Sequence, residues 1–281
     1  MLNIRTIYYS LSPNLRLTVR KIVYFPIDLY ENIFHKRQKY VPKKGDIFIG
    51  MGDFLNQGKQ HLTLLKNYAN LKPSDTVLDV GSGIGRSAVA LTNFLNKEAK
   101  YEGFDIVFKG VDWCTKNLKP DFPNFNFTHV PLNNDLYSLT DKSANDFKFP
   151  YQNDTFDVVF LFSVFTHMQE AEVTNYLSEI ERVLKPNGTC LSTFFTYDLA
   201  DETHISDSNS NFNFPFKFKN YRLMNEKVPS ANIAFSNDFI NSVATKSNLK
   251  IVNKVLGYWN TNRKNDTLND YQDIILFKKQ L

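Results

Sequence analysis

The stretch Val77-Leu78-Asp79-Val80-Gly81-Ser82-Gly83-Ile84-Gly85-Arg86 decides how the chain is read. Residues 76–80 are a short apolar run of strand length. Gly81, Ser82, Gly83 and Gly85 predict a tight turn. From 87 to 95 the apolar positions Ala88, Leu91 and Leu95 recur at helical spacing. Strand, glycine turn and helix make the first half of a βαβ unit. Glycines in such a turn reach backbone angles closed to other residues, and they leave space for a ligand against the main chain.

The spacing discriminates between ligands. A dinucleotide fingerprint, Gly-x-Gly-x-x-Gly, would put its third glycine at position 86, which is Arg86. The pattern is instead Gly-x-Gly-x-Gly, with Asp79 two residues ahead of it. This resembles motif I of the class I S-adenosylmethionine-dependent methyltransferases. The resemblance implies that Asp79 orders the turn and helps hold the methionine ammonium. It also lays Gly81, Ser82, Gly83, Gly85 and Arg86 against S-adenosyl-L-methionine. Residues 101–106 read as the second strand, ending at Asp105, 20 residues beyond Gly85. A carboxylate there can accept from both ribose hydroxyls, and the resemblance gives Asp105 and Ile106 that place. Without a ligand, the same residues would be a plain strand-to-helix turn and a solvated aspartate.

Further along, 110–118 predicts a helix, 126–130 a third strand and 131–143 a polar loop. Residues 145–157 resemble the family's lead-in to the fourth strand, which places Asn145 and Asp146 near the adenine amino group. The unbroken apolar run 156–162 suits a central parallel strand covered on both faces. It leads into Ser163-Val164-Phe165-Thr166-His167-Met168. Ligands of open α/β sheets bind beyond the carboxyl ends of the strands. Phe162 and Ser163 are therefore cofactor-side candidates, and His167 is the candidate catalytic residue. A neutral imidazole there can take the proton of an acceptor hydroxyl; the alternative is a histidine that caps a helix or ties the loop. An amphipathic helix at 170–184, the turn Lys185-Pro186-Asn187-Gly188 and a strand at 189–195 complete the resemblance. A helix to 246 and strands at 249–256 and 273–277 close the chain. The resemblance implies an α/β fold: a Rossmann-like, seven-stranded, mostly parallel sheet with helices on both faces and its last strand antiparallel; the alternating strands and helices of the sequence are compatible with it.

The expected organisation is a methyltransferase domain over 60–281, with a substrate-side insertion at about 198–232, behind a basic, aromatic N-terminal extension or cap over 1–59. Residues 1–45 carry nine Arg and Lys against two Asp and Glu, a balance of +7, within a whole-chain charge of +4. Two readings of this segment stand. One is peripheral membrane contact through residues 1–45, with aromatics dipping in and bases on anionic headgroups. The other, favoured by its helical periodicity, packs its apolar face on the body or over the active site. Pro26 predicts a break or a kink in any helix there. Residues 46–58 read as a glycine-punctuated loop before a helix at 60–68. The insertion, rich in Asn, Ser, Asp and Phe, suits stacking on a sugar or another flat polar acceptor; the alternative is a disordered or self-packed loop.

Several classes are excluded. No Asn/Asp-Pro-Pro-aromatic motif follows the fourth strand, and no Pro-Cys pair occurs. Cys114 and Cys190 belong to no metal-ligand cluster. With no apolar run of 18 residues, the sequence reads as soluble and cytoplasmic. The expected activity is methyl transfer to a hydroxyl or amine of a small-molecule or glycan acceptor. An RNA methyltransferase with a basic arm, and a non-catalytic cofactor-binding scaffold, are the alternatives; the basic balance alone does not make nucleic acid the partner.

Overall fold

The computed structural model describes residues 11–50, 52–198, 200, 202–206, 212–260 and 270–280. β1 (Thr76–Val80) lies in the middle of a sheet, where its apolar composition sends it. It pairs in parallel with β2 (Lys100–Asp105) on one side and β4 (Phe156–Leu161) on the other. β3 (Phe125–His129) extends the sheet beyond β2, and β5 (Leu184–Tyr197) extends it beyond β4, again in parallel. β10 (Asp273–Lys279) runs antiparallel to β5, and β9 (Leu249–Val255) runs antiparallel to β10. Within a ten-stranded sheet, these seven, in the order β3-β2-β1-β4-β5-β10-β9, form the mostly parallel sheet that the resemblance implies.

Period-two alternation splits the core between the two faces. Val77 faces one cluster, with Leu65 of α2 (Phe54–Tyr68), Leu91 of α3 (Arg86–Leu91) and Cys114 of α4 (Phe108–Asn117). Leu78 and Val80 face the other, with Leu177 and Ile180 of α5 (Glu170–Val183) and Val243 of α7 (Asn237–Lys246). Cys190 is buried in this second cluster, as a small hydrophobe.

The structure departs from expectation in four places. The 198–232 region adds strands: β6 (Phe216–Lys217) and β7 (Tyr221–Leu223) lead to β8 (Ile233–Ser236). β8 pairs with Phe195–Tyr197, beyond the stretch of β5 that pairs with β10. Most of the region's described aromatics pack on one another: Phe214 is fully buried among Phe195, Phe212 and Trp259. Helix α6 (Glu202–Ile205) is a single turn within it.

Secondly, α2 begins at Phe54, inside the predicted loop. The Asp53 side chain caps it by accepting from the Asn56 amide at 2.8 Å. Gly58 is a packing glycine within that helix: a Cβ would lie 2.6 Å from the Arg86 carbonyl oxygen. Thirdly, α1 (Pro13–Ile33) runs through Pro26 without a break. Finally, α1 covers the body with its polar side rather than its apolar one. Arg16 is buried, while Asp28 accepts from the Lys44 and Gly45 amides at 2.7 and 2.9 Å.

One buried carboxylate joins β10 to the carboxyl end of β5. Asp273 accepts from the Thr196 amide and hydroxyl at 2.8 and 2.7 Å, from the Gly257 amide at 2.7 Å and from Trp259 Nε1 at 3.0 Å. Asp273→Ala leaves these donors unsatisfied in a dry interior, which costs about 3 kcal/mol or more. The melting temperature is expected to fall by roughly 6–12 °C. A midpoint within about one degree of wild type, on the same scale, would refute this account.

Candidate active site

The glycine turn bends on three left-handed residues. Gly81, Gly83 and Gly85 have φ of 76°, 58° and 80°. A Cβ would lie 2.4 Å from Val164 Cγ2 at Gly81, 2.9 Å from Ile49 Cγ2 at Gly83 and 2.7 Å from Cys114 Sγ at Gly85. The amides of Gly81 and Ser82 donate to the Phe104 carbonyl at 2.9 and 3.0 Å. Asp105 ties the turn to the next strand: Oδ2 accepts from the Gly83 amide at 2.8 Å and Oδ1 from the Val107 amide at 2.7 Å. Asp79 Oδ2 accepts from the Tyr101 hydroxyl at 2.7 Å. Ser163, at the end of β4, holds a φ of 59° that a non-glycine residue adopts at a cost.

These elements open into a cavity of about 910 Å³ at the carboxyl ends of the strands. Asp79, Gly81, Ser82, Arg86, Asp105, Ile106, Phe162, Ser163 and His167 all line it. Gly83 and Gly85 shape the turn from behind. Asn145 and Asp146 are exposed and lie outside the wall, and their buried neighbour Ala144 lines it instead. The inserted loop sets this register, with the Asn145 amide turned back on Ser143 Oγ.

Residues 78–192 match the family model described as a methyltransferase domain. A stretch of 170 residues is 26% identical to phosphoethanolamine N-methyltransferase 2 of Caenorhabditis elegans, covering 60% of this chain and 32% of that protein. The chain thus spans about a third of that relative's length. Among solved structures, the PH0226 protein of Pyrococcus horikoshii superimposes with a TM-score of 0.54 at 15% identity, over 89% of this chain and 98% of that one. A putative sarcosine dimethylglycine methyltransferase from Galdieria sulphuraria gives 0.52 at 12% identity, over 89% and 97%. At such identities the likeness is one of fold.

The methyltransferase domain's cofactor is S-adenosylmethionine, and the donor set fits it. The Ser82 hydroxyl is buried without a hydrogen-bond partner among the described residues. Each Asp105 oxygen retains a lone pair for a ribose hydroxyl beyond the amide it accepts. Ile106, Leu132 and Ala144 offer apolar walls for a flat ring.

Further cavity residues lie outside the motifs. His61 stacks on Phe162 at 3.8 Å between ring centroids, with Nδ1 2.8 Å from Ser87 Oγ. Burial, and then the nearby Arg86, push its pKa down to about 3. Arg16 and Arg20 reach in from α1, and Gln272 accepts from the Ser163 hydroxyl at 3.1 Å. Only the i, i+4 spacing of the two arginines was visible in the sequence as a shared helix face.

Burial pushes the Asp79 carboxyl up to about 7, and burial likewise pushes Asp105 up to about 6. Both values are raised, so their contribution to stability is full below the ordinary carboxylate pKa. It is lost as pH rises through about 6 and 7. An ammonium beside Asp79 and ribose hydroxyls on Asp105 would favour the ionised forms, so cofactor bound there would release protons in that window. S-adenosylhomocysteine affinity is expected to climb roughly tenfold or more between about pH 5.5 and about pH 8, with a larger thermal shift at the higher pH. Calorimetry in buffers of different ionisation enthalpy checks it; flat affinity and no proton release would refute it.

Proposed function

We propose that the protein transfers the methyl group of S-adenosylmethionine to an amine or hydroxyl of a small acceptor that carries an anionic group. The observation that carries this reading is the basic corner of the cavity. Arg20 and Arg86 both line it, and among the described residues neither forms an ion pair. Arg86 is buried; Nη2 donates to the Ile49 carbonyl at 2.8 Å, while Nε has no hydrogen-bond partner among the described residues. Burial, and then the charge of Arg20, push its pKa down to about 10. Two guanidiniums that repel one another beside a space are relieved by a bound anion. Phosphoethanolamine, in the name of the C. elegans relative, is an amine of this kind. The 198–232 region gives the cavity Phe212, while its other described aromatics pack on one another or stand apart from it. The arginines therefore support an anionic acceptor more directly than the aromatics support a glycan.

When bound, the cofactor supplies a methyl group activated by its sulfonium for in-line displacement. The chain's part is to position the acceptor and hold its proton. His167 lines the cavity, and its Nδ1 lies 2.8 Å from the Ser230 carbonyl, which can only accept. Nδ1 therefore carries the hydrogen, and Nε2 is left as the basic nitrogen. Burial holds the imidazole below the ordinary histidine range, despite the Ser230 contact that raises it. It is neutral at pH 7 and able to accept a proton.

The test compares anionic amines and alcohols with neutral analogues as methyl acceptors. Arg20→Ala should raise KM for an anionic acceptor roughly 10–100-fold and leave S-adenosylhomocysteine affinity unchanged. Equal use of neutral analogues would overturn the acceptor class. Loss of S-adenosylhomocysteine binding would assign the arginines to the cofactor's own carboxylate. Replacing His167 with Gln should lower kcat by about 10²–10³ with little change in cofactor binding. A kcat close to that of wild type would leave His167 a loop-tying residue.

A further inference from the structure

Helix α1 is built inside out. Its inward side is polar: Arg16 and Arg20 turn to the cavity, and Asp28 and Glu31 pair with the 37–45 segment. Its outward side is apolar. Ile22, Val23, Phe25 and Ile33 are 68%, 64%, 61% and 58% exposed. With Leu15, Val19 and Leu29 these positions follow helical spacing and form one stripe along the whole helix, with no charged residue within it. Of the fifteen exposed large apolar side chains among the described residues, ten lie between 15 and 34. Such a concentration is a docking face rather than the scattered exposure of an ordinary surface.

We propose that this face docks on an anionic lipid bilayer. Charge decides between occupants. The stripe carries no acid, because Asp28 and Glu31 are held against the body. Past its carboxyl end the chain reads Lys36-Arg37-Gln38-Lys39-Tyr40-Val41-Pro42-Lys43-Lys44. Lys36 and Lys43 are exposed and form no ion pair among the described residues. A second copy packed stripe to stripe offers these bases no acid, since residues 11–27 carry no Asp or Glu, whereas anionic headgroups neutralise them. No described helix is long and apolar enough to cross a membrane. α1 therefore lies in the interface, with its aromatic and branched side chains in the acyl boundary. Because the opposite side of the same helix roofs the cavity, docking sets that roof at the bilayer surface. The proposal stands whatever acceptor the cavity takes.

The full chain is sedimented with vesicles of phosphatidylcholine alone and of phosphatidylcholine with an equal part of phosphatidylglycerol. Ile22→Glu/Phe25→Glu and Lys36→Glu/Lys43→Glu are run beside it, with melting temperatures and light scattering. Wild type should pellet with the anionic vesicles, less at high salt, and both variants should lose at least about tenfold in partition while melting as wild type does. The lysine pair decides the matter even where the apolar pair melts early. No pelleting of wild type overturns the proposal, and so does equal pelleting of both variants. A dimer in light scattering that Ile22→Glu/Phe25→Glu splits would assign the face to a second copy and overturn it too.

Discussion

The turn after β1 has no slack, and the rest of the site is placed by it. Its three left-handed glycines are packed so that a side chain at any of them would meet Val164, Ile49 or Cys114. Behind them stands Gly110 of α4, where a Cβ would lie 2.3 Å from the Gly83 carbonyl oxygen. The hydrogen bond from the Gly83 amide to Asp105 then fixes this turn against the end of β2. A small backbone shift here would move the wall of the cavity, because Gly81 lines it with main chain alone. Rigid parts around a concave space are what methyl transfer asks of a protein, since positioning supplies most of what an active site can add.

Both signs of charge line the cavity. Asp79 and Asp105 lie at the glycine turn; Arg20 and Arg86 meet beneath α1. Burial disfavours each charged form, which raises the acids and lowers Arg86. Each group is thus held in a state that a ligand of opposite charge improves. Such sites cost folding stability, and buried contacts such as those of Asp273 with the ends of β5 and the 257–259 segment offset part of that cost.

What was legible in the sequence followed from local rules. The sheet order could be read because glycine turns, apolar runs and the turn at Lys185-Pro186-Asn187-Gly188 each carry their own signal. Asp105 could be found because a strand's carboxyl end is a fixed place in this kind of sheet. The misses were of another kind. Gly58 looked like a loop residue, because the need for close approach to the Arg86 carbonyl exists only after two helices pack. Asn145 and Asp146 were placed by analogy across an insertion, and a loop can shift register at no cost to the strands on either side. His61 carried no motif at all; it became a site residue when Phe162 came to lie 3.8 Å above its ring.

Helix α1 shows where periodicity stops being informative. Its apolar residues recur at helical spacing, and the usual inference buries them. The pattern gives the width of the apolar face and not its direction. Direction was set by Asp28 and Glu31, which bind amides and bases of the segment that follows, and by Arg16, which donates to the Leu136 carbonyl at 2.7 Å. Once those polar contacts hold one side of the helix against the body, its apolar side has nowhere to face but outward. A soluble fold gains nothing from that orientation alone, since burying the same residues would favour it. The arrangement is coherent when the body needs the polar side over its cavity and something outside the chain covers the other side.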